Sequence, residues 1–128
     1  MIILDTSFLV AYFRTNDVHH AGSVSLAKEH AGEKMVVTFL VLQELINILN
    51  RKASTALALE KVKLLTSPDS NIELFKLDES YSEEVLELYE RLAPHTFSYT
   101  DVSLIHLSKE LELPVLTFDK DLEKALAA

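Results

Sequence analysis

The chain has 128 residues, of which 48% are hydrophobic and 25% are charged, as expected for a globular protein. It contains no cysteine and only two glycines, which excludes disulfides, cysteine-based zinc sites and the glycine-rich loops of dinucleotide-binding and P-loop proteins. Twelve basic and 20 acidic residues give a net charge of −8, which disfavours binding to nucleic acid through charge alone. We therefore expect a single folded domain over residues 1–128.

No segment of the sequence predicts export or membrane insertion. The apolar run at the start is far too short for a signal peptide. Polar side chains interrupt the most apolar stretch, residues 35–49, which is also shorter than the roughly 20 residues of a membrane helix. We therefore expect a cytoplasmic protein without a membrane partner. The sequence also lacks H-E-x-x-H and G-x-S-x-G, which excludes the zincin and serine-hydrolase motifs.

Hydrophobic periodicity predicts alternating strands and helices along the chain. The predicted strands are residues 2–4, 35–38, 72–77 and 115–118. The predicted helices are residues 8–13, 17–29, 41–52, 54–66, 80–92 and 100–111, with a short helix after residue 119. The helices at 41–52 and 54–66 are expected to form a hairpin. This alternation predicts an α/β domain with a mainly parallel sheet.

Two predicted strands each end beside an aspartate. Asp5 follows the first strand, and Asp119 follows the last. Ligands of parallel α/β sheets bind beyond the carboxyl ends of the strands, so both carboxylates are candidates for a functional site. Aspartate is also a preferred N-cap, so each residue could instead begin the next helix.

Two further acids lie in predicted helices. Glu44 interrupts an apolar stripe on its helix, and an ionised carboxylate in such a place is usually paired or bound to metal, although it could also reach solvent at the helix edge. Asp101 stands at the start of its helix, where either it or Thr100 could be the cap. Four carboxylates at one rim would repel one another unless cations share the site. Oxygen ligands alone favour Mg²⁺ or Mn²⁺, which support metal-assisted displacement at phosphorus.

Four motifs in this order resemble the PIN-domain family, and the spacing and length are most similar to the ribonuclease toxins of VapBC toxin–antitoxin pairs. The motifs are Ile2-Ile3-Leu4-Asp5-Thr6-Ser7, Gln43-Glu44-Leu45, Tyr99-Thr100-Asp101 and Leu116-Thr117-Phe118-Asp119-Lys120-Asp121. The resemblance covers essentially the whole chain. It implies a three-layer α/β/α domain with a four- to five-stranded sheet.

The resemblance also implies the site residues. Asp5, Glu44, Asp101 and Asp119 would form an acidic quartet that binds Mg²⁺ or Mn²⁺ and carries out catalysis. The secondary positions that the resemblance places in the cleft are Thr6, Thr38, Thr117 and Asp121. Asp121 competes with Asp119 as the fourth acid, or its charge complements the helix dipole. A basic cluster on the predicted hairpin could follow RNA phosphates or be a solvated face: Arg51, Lys52, Lys61 and Lys63.

The implied activity is endonucleolytic cleavage of RNA by a metal-activated water, which leaves a 5′-phosphate and a 3′-hydroxyl. The implied partners are an RNA substrate, a small antitoxin protein and a second copy of the chain in a homodimer. His19 and His20 are interpreted as local structure or surface, because this activity needs no histidine base. The alternatives are a non-toxin PIN nuclease of RNA processing and an inactive PIN-like module that binds RNA or a partner. A haloacid-dehalogenase-like phosphatase is disfavoured, because Ser7 stands where that family has its second aspartate.

Overall fold

The computed structural model describes residues 1–128 as four strands and seven helices. The strands are β1 (Ile2–Leu4), β2 (Met35–Thr38), β3 (Ile72–Phe75) and β4 (Val115–Leu116). The helices are α1 (Thr6–Phe13), α2 (His20–Glu29), α3 (Phe39–Lys52), α4 (Thr55–Thr66), α5 (Glu79–Arg91), α6 (Tyr99–Leu111) and α7 (Lys120–Ala127). The α/β class predicted from the sequence is confirmed, and the sheet has four strands.

All strand pairs in the sheet are parallel, and the strand order is β3-β2-β1-β4. The chain therefore adds β2 and β3 on one side of β1 and then adds β4 on the other side of β1. Successive side chains of a strand point to opposite faces of the sheet. Since all three residues of β1 are at most 2% exposed, helices must cover both faces. This confirms the three-layer arrangement and explains why β1 is an uninterrupted apolar run.

Helix caps shift several boundaries from their predicted positions. Thr38 caps α3 through the Val41 amide, so this helix begins at residue 39 rather than 41. Ser98 caps α6, which begins one residue before the predicted start at Thr100. The second predicted helix begins only at residue 20, because Asp17 forms a separate turn before it. The last strand ends at residue 116 instead of 118.

The core is one cluster of 18 buried hydrophobic residues drawn from the central strands and the helices around them. Leu45 and Leu49 of α3 and Leu104 and Leu107 of α6 are completely buried in it. These helices therefore have fixed positions relative to β1, and so do the polar residues on them that face the strand ends. None of the helices combines the length and the apolar character needed to cross a membrane.

Candidate active site

A cleft of about 600 Å³ lies at the carboxyl ends of the parallel strands. Asp5, Glu44, Asp101 and Asp119 all line it. Asp5 follows β1, Glu44 lies on the helix after β2, Asp119 lies between β4 and α7, and Asp101 is in the first turn of α6. Because β4 lies on the other side of β1 from β2, the cleft is at the point where the strand order reverses, where parallel sheets commonly bind ligands.

Asp5 is the most buried of these acids, with 4% of its surface exposed. It occupies the N-cap position of α1, but its side chain makes no capping hydrogen bond. Instead, Ser7 Oγ and Thr117 Oγ1 each donate to Asp5 Oδ2 at 2.7 Å. Each hydroxyl has one proton, so both protons go to this one oxygen, and capping does not account for the aspartate.

Glu44 is held by a residue of a different helix. Thr6 Oγ1, in the first turn of α1, donates to Glu44 Oε1 at 2.7 Å across a sequence separation of 38 residues. Thr6 is buried and Glu44 is partly buried. This hydrogen bond positions the Glu44 carboxylate beside the end of β1.

Asp101 and Asp119 both take part in helix caps. Asp101 Oδ2 accepts from the Ser98 amide at 3.1 Å, and the Ser98 hydroxyl accepts from the Asp101 amide at 3.0 Å, which completes a capping box. Thr100 is therefore not the cap, and the side chain of Asp101 is not free of a capping role. Asp119 Oδ1 accepts from the amides of Asp121 and Leu122 at 3.0 and 3.1 Å and so caps α7.

Each acid of the quartet uses only one of its two carboxylate oxygens within the protein. The engaged oxygens are Asp5 Oδ2, Glu44 Oε1, Asp101 Oδ2 and Asp119 Oδ1. The other oxygen of each carboxylate accepts no hydrogen bond from the chain. No lysine, arginine or histidine nitrogen lies within 4.0 Å of any of the four carboxylates. The cleft therefore offers four carboxylate oxygens that form no ion pair with a basic side chain of the protein.

The electrostatics of the cleft affect Asp101 most clearly. Burial raises the pKa of the Asp101 carboxyl above its ordinary value, and the nearby charges of Asp5 and Asp119 raise it further. Hydrogen bonds from Ser98 lower the pKa and oppose this effect. No three of the four acids have oxygens that all lie within 4.8 Å of one another, so these carboxylates are held apart. Carboxylates alone as donors suit a hard divalent cation such as Mg²⁺ or Mn²⁺.

The remaining predicted residues are not all in the cleft. Thr6, Arg51 and Lys52 line it. Thr117 does not line the cleft, but its hydroxyl donates a hydrogen bond to Asp5, which does. The other residues that do not line it are Thr38, Asp121, Lys61 and Lys63.

These four residues have other surroundings. Thr38 is 1% exposed and caps α3, because the short side chain turns back to the helix that follows β2. Asp121 is exposed in the first turn of α7, where its charge complements the helix dipole. Lys61 lies near Glu60 and over the ring of Phe13, and Lys63 is exposed in the last turn of α4. The basic hairpin is therefore divided, and only its α3 end reaches the cleft.

Sequence reasoning missed several residues that line the cleft. Asp17, His19, Asn47 and Phe118 belong to this set. His19 is exposed, as predicted, but it also lies on the cleft, whereas His20 is held by the Ala11 carbonyl at 2.8 Å. Asn47 could have been found from the sequence, because it lies three residues after Glu44 and so shares its helix face.

A second group of titratable side chains, two glutamates and a histidine, lies outside the cleft on α5 and α6. Glu84, His106 and Glu110 bring potential ligand atoms within 4.8 Å of one another. His106 Nε2 is 3.1 Å from Glu84 Oε2 and 4.0 Å from Glu110 Oε2, which is consistent with an ion pair when the histidine is protonated. The ring of Tyr81 packs edge-on against His106, and its hydroxyl is buried without a hydrogen-bond partner. Burial, together with the charges of Glu110 and Glu84, raises the pKa of Tyr81.

Three solved structures share this fold. VapC20 of Mycobacterium tuberculosis, a sarcin-ricin loop cleaving toxin, has a TM-score of 0.86 at 18% identity, over 98% of this chain and 95% of that chain. VapBC2 of Rickettsia felis, solved bound to a DNA fragment from its promoter, has a TM-score of 0.70 at 14% identity, over 98% and 93%. PAE2754 of Pyrobaculum aerophilum has a TM-score of 0.69 at 19% identity, over 97% and 83%.

At these identities the structural likeness establishes the fold alone. No curated protein matches the sequence of this chain. The PIN domain, in contrast, matches residues 2–126, which is nearly the full length. The chain therefore belongs to the PIN domain family.

Proposed function

We propose that this protein is a metal-dependent endoribonuclease, with Asp5, Glu44, Asp101 and Asp119 as its catalytic acids. The observation that supports this most strongly is that the two oxygens of each carboxylate differ in their hydrogen bonding. One oxygen is fixed by the protein, and the other has no hydrogen-bond partner in the chain. An acid that served only as a cap or a packing residue would not need three similar neighbours that also form no ion pair with a basic side chain.

The four acids would hold Mg²⁺ or Mn²⁺, which when bound would lower the pKa of a water and stabilise charge on the phosphate. Ser7 and Thr117 keep Asp5 in one orientation, and Thr6 does the same for Glu44. These hydroxyls are positioning residues. They fix the unengaged oxygens before substrate binds, which reduces the entropy lost on binding.

Arg51 and Lys52 would contact the phosphates of the RNA. Both are exposed at the end of α3 and line the cleft, and neither forms an ion pair with an acidic residue. Without such a contact the net charge of −8 would repel the phosphate backbone. Substituting either residue should raise KM for RNA and weaken the salt dependence of binding.

The test is cleavage of end-labelled RNA by the purified protein with Mg²⁺, with Mn²⁺ and with EDTA. We expect cleavage only with metal, and products with a 5′-phosphate and a 3′-hydroxyl. Asp5→Asn keeps the shape of the side chain and removes a ligand charge. We expect it to lower turnover more than the roughly 10- to 100-fold that is typical of losing a residue that only supports a ligand.

A matched control is Asp78→Asn. Asp78 caps α5 through the Tyr81 amide at 2.8 Å and does not line the cleft, and asparagine caps as well as aspartate. We expect this variant to cleave like the wild type. Full activity of a folded Asp5→Asn protein, or equal loss in the two variants, would contradict the assignment of the acids.

We further propose that the chain is the toxin of a toxin–antitoxin pair and acts as a homodimer. The likeness to VapC20 and VapBC2 supports the toxin role, as does a cleft whose unpaired carboxylates suit an arginine or lysine of an inhibitory partner. The homodimer is proposed from the family resemblance alone. A small protein encoded beside this one should bind it and inhibit cleavage. Sedimentation of the free protein as a monomer would contradict the dimer but not the nuclease.

A further inference from the structure

Four aromatic rings form a nearly parallel row that ends in the cleft. Tyr12 and Phe8 have ring centroids 6.3 Å apart and an interplanar angle of 17°. Phe8 and Phe118 are 6.0 Å apart at 11°, and Phe118 and His19 are 4.6 Å apart at 4°. Phe8 is 2% exposed, so the row is supported by the core.

His19 is the last ring of this row and has no structural task of its own. It is exposed, and its ring nitrogens form no hydrogen bond within the chain. It occupies the N-cap position of α2 without a capping bond, and only its backbone amide is held, by Asp17 Oδ1 at 2.8 Å. Phe118 covers one face of the imidazole, so the other face is available in the cleft.

The aromatic row has a fixed position relative to the acids. Ser7 Oγ accepts from the Phe118 amide at 2.9 Å and donates to Asp5 Oδ2, so one hydroxyl connects the ring that supports His19 to the most buried carboxylate. Phe118 also directly precedes Asp119, whose side chain caps α7. The aromatic rings and the carboxylates are thus held side by side by Ser7 and by the adjacent residues Phe118 and Asp119.

We infer that the open face of His19 is a stacking platform for one unpaired RNA base next to the phosphate that is to be cleaved. This inference rests on the proposed nuclease function and assigns to it a base-contacting residue outside the four acids. Bases of a helix are covered on both faces, whereas loops and unpaired segments expose bases that stack on aromatic side chains. Such stacking accepts every base, so it selects for strandedness and not for sequence.

The experiment compares His19→Ala with His19→Phe, because phenylalanine keeps the flat ring and loses the ring nitrogens. The full chain would be titrated in EDTA against a fluorescent single-stranded RNA, and KM would be measured with Mn²⁺. We expect His19→Ala to raise Kd and KM by about five- to tenfold, the lower part of the range for base stacking, and His19→Phe to stay near the wild type. His30→Ala is the control, since His30 pairs with Glu33 and does not line the cleft.

An RNA series with one abasic site moved along the strand locates the stacked base. The wild type should bind the RNA more weakly when the abasic site is at one particular position. The affinity of His19→Ala should not fall when the abasic site is at that position. Equal Kd for His19→Ala and wild type would overturn the inference. So would loss in His19→Phe with retention in His19→Lys, because that pattern indicates a phosphate contact. Absence of cleavage by the wild type would instead contradict the nuclease proposal, and the Kd values in EDTA would still test the platform.

Discussion

Replacing Thr117 by valine tests how strongly the hydroxyl network stabilises the buried carboxylate of Asp5. The substitution keeps the shape of the side chain, removes the donor 2.7 Å from Asp5 Oδ2 and leaves the Asp119 amide without its acceptor at 3.0 Å. A hydrogen bond to a charged group contributes about 1.5–3 kcal/mol, and an aspartate that is 4% exposed has little access to water as a substitute. We expect the free energy of unfolding to fall by about 2 kcal/mol.

For a chain of 128 residues this loss corresponds to a decrease in Tm of roughly 5–10 °C. The measurement is circular dichroism during heating, and urea unfolding at one temperature, both in EDTA so that metal does not contribute. Thr117→Ser keeps the hydroxyl and should retain most of the stability. If the proposed site is correct, Thr117→Val should also need a roughly 10- to 100-fold higher Mn²⁺ concentration for cleavage, because it loosens a ligand.

Thr66→Val provides a matched control for the same chemical change. Thr66 Oγ1 donates to the Val62 carbonyl at 2.9 Å on the exposed surface of α4, where water can replace the hydrogen bond. We expect this variant to stay within about 0.5 kcal/mol of the wild type. Equal stability of Thr117→Val and Thr66→Val would refute the view that the network around Asp5 is stabilising.

Three further predictions concern charge and burial. The raised pKa of Asp101 means that the folded protein binds this proton more tightly than the unfolded chain, so stability is lost as the pH rises through that pKa. Asp101→Asn should therefore gain stability relative to wild type as the pH rises above the ordinary pKa of aspartate, about 3.9, in urea titrations with EDTA, and a constant difference would contradict this. Mn²⁺ at about 100 times its Kd should stabilise wild type by roughly 2.7 kcal/mol in thermal melts, and Asp119→Asn should show a smaller gain. Tyr81→Phe, which removes a buried hydroxyl without a partner, should raise the free energy of unfolding by up to about 1 kcal/mol in urea, and destabilisation would reveal an unseen partner.

Hydrophobic pattern was sufficient to predict the elements that position the acids. The run at residues 2–4 is typical of a strand that is covered on both faces, and the stripe around Glu44 indicates which side of α3 faces the core. The position of Asp5 directly after β1 was predicted correctly, whereas Asp119 lies in the loop between the end of β4 at Leu116 and α7 and reaches the cleft from there. The role of these acids as metal ligands stays a prediction.

Other features depend on contacts between distant segments that a sequence pattern does not contain. Thr38 stands at a strand end like Asp5, yet its short side chain turns to its own helix. The contact between His19 and Phe118 joins residues from opposite ends of the chain. The sequence does not predict this contact, because Phe118 was expected to lie in the last strand. In the structure Phe118 lies beyond the end of β4.

Capping and metal binding are alternatives for an aspartate only if it is treated as having a single acceptor. Asp119 Oδ1 accepts both capping hydrogen bonds, and its Oδ2 accepts none. The cap holds the side chain in one rotamer, so the second oxygen already has a fixed direction, and less entropy is lost when a ligand binds. Asp119→Ala removes both functions, whereas asparagine keeps the capping oxygen and removes the charge. The stability difference between these two variants in EDTA should therefore be the cap alone, about 1 kcal/mol, and the difference in their response to Mn²⁺ should be near zero if the charge is what holds the metal.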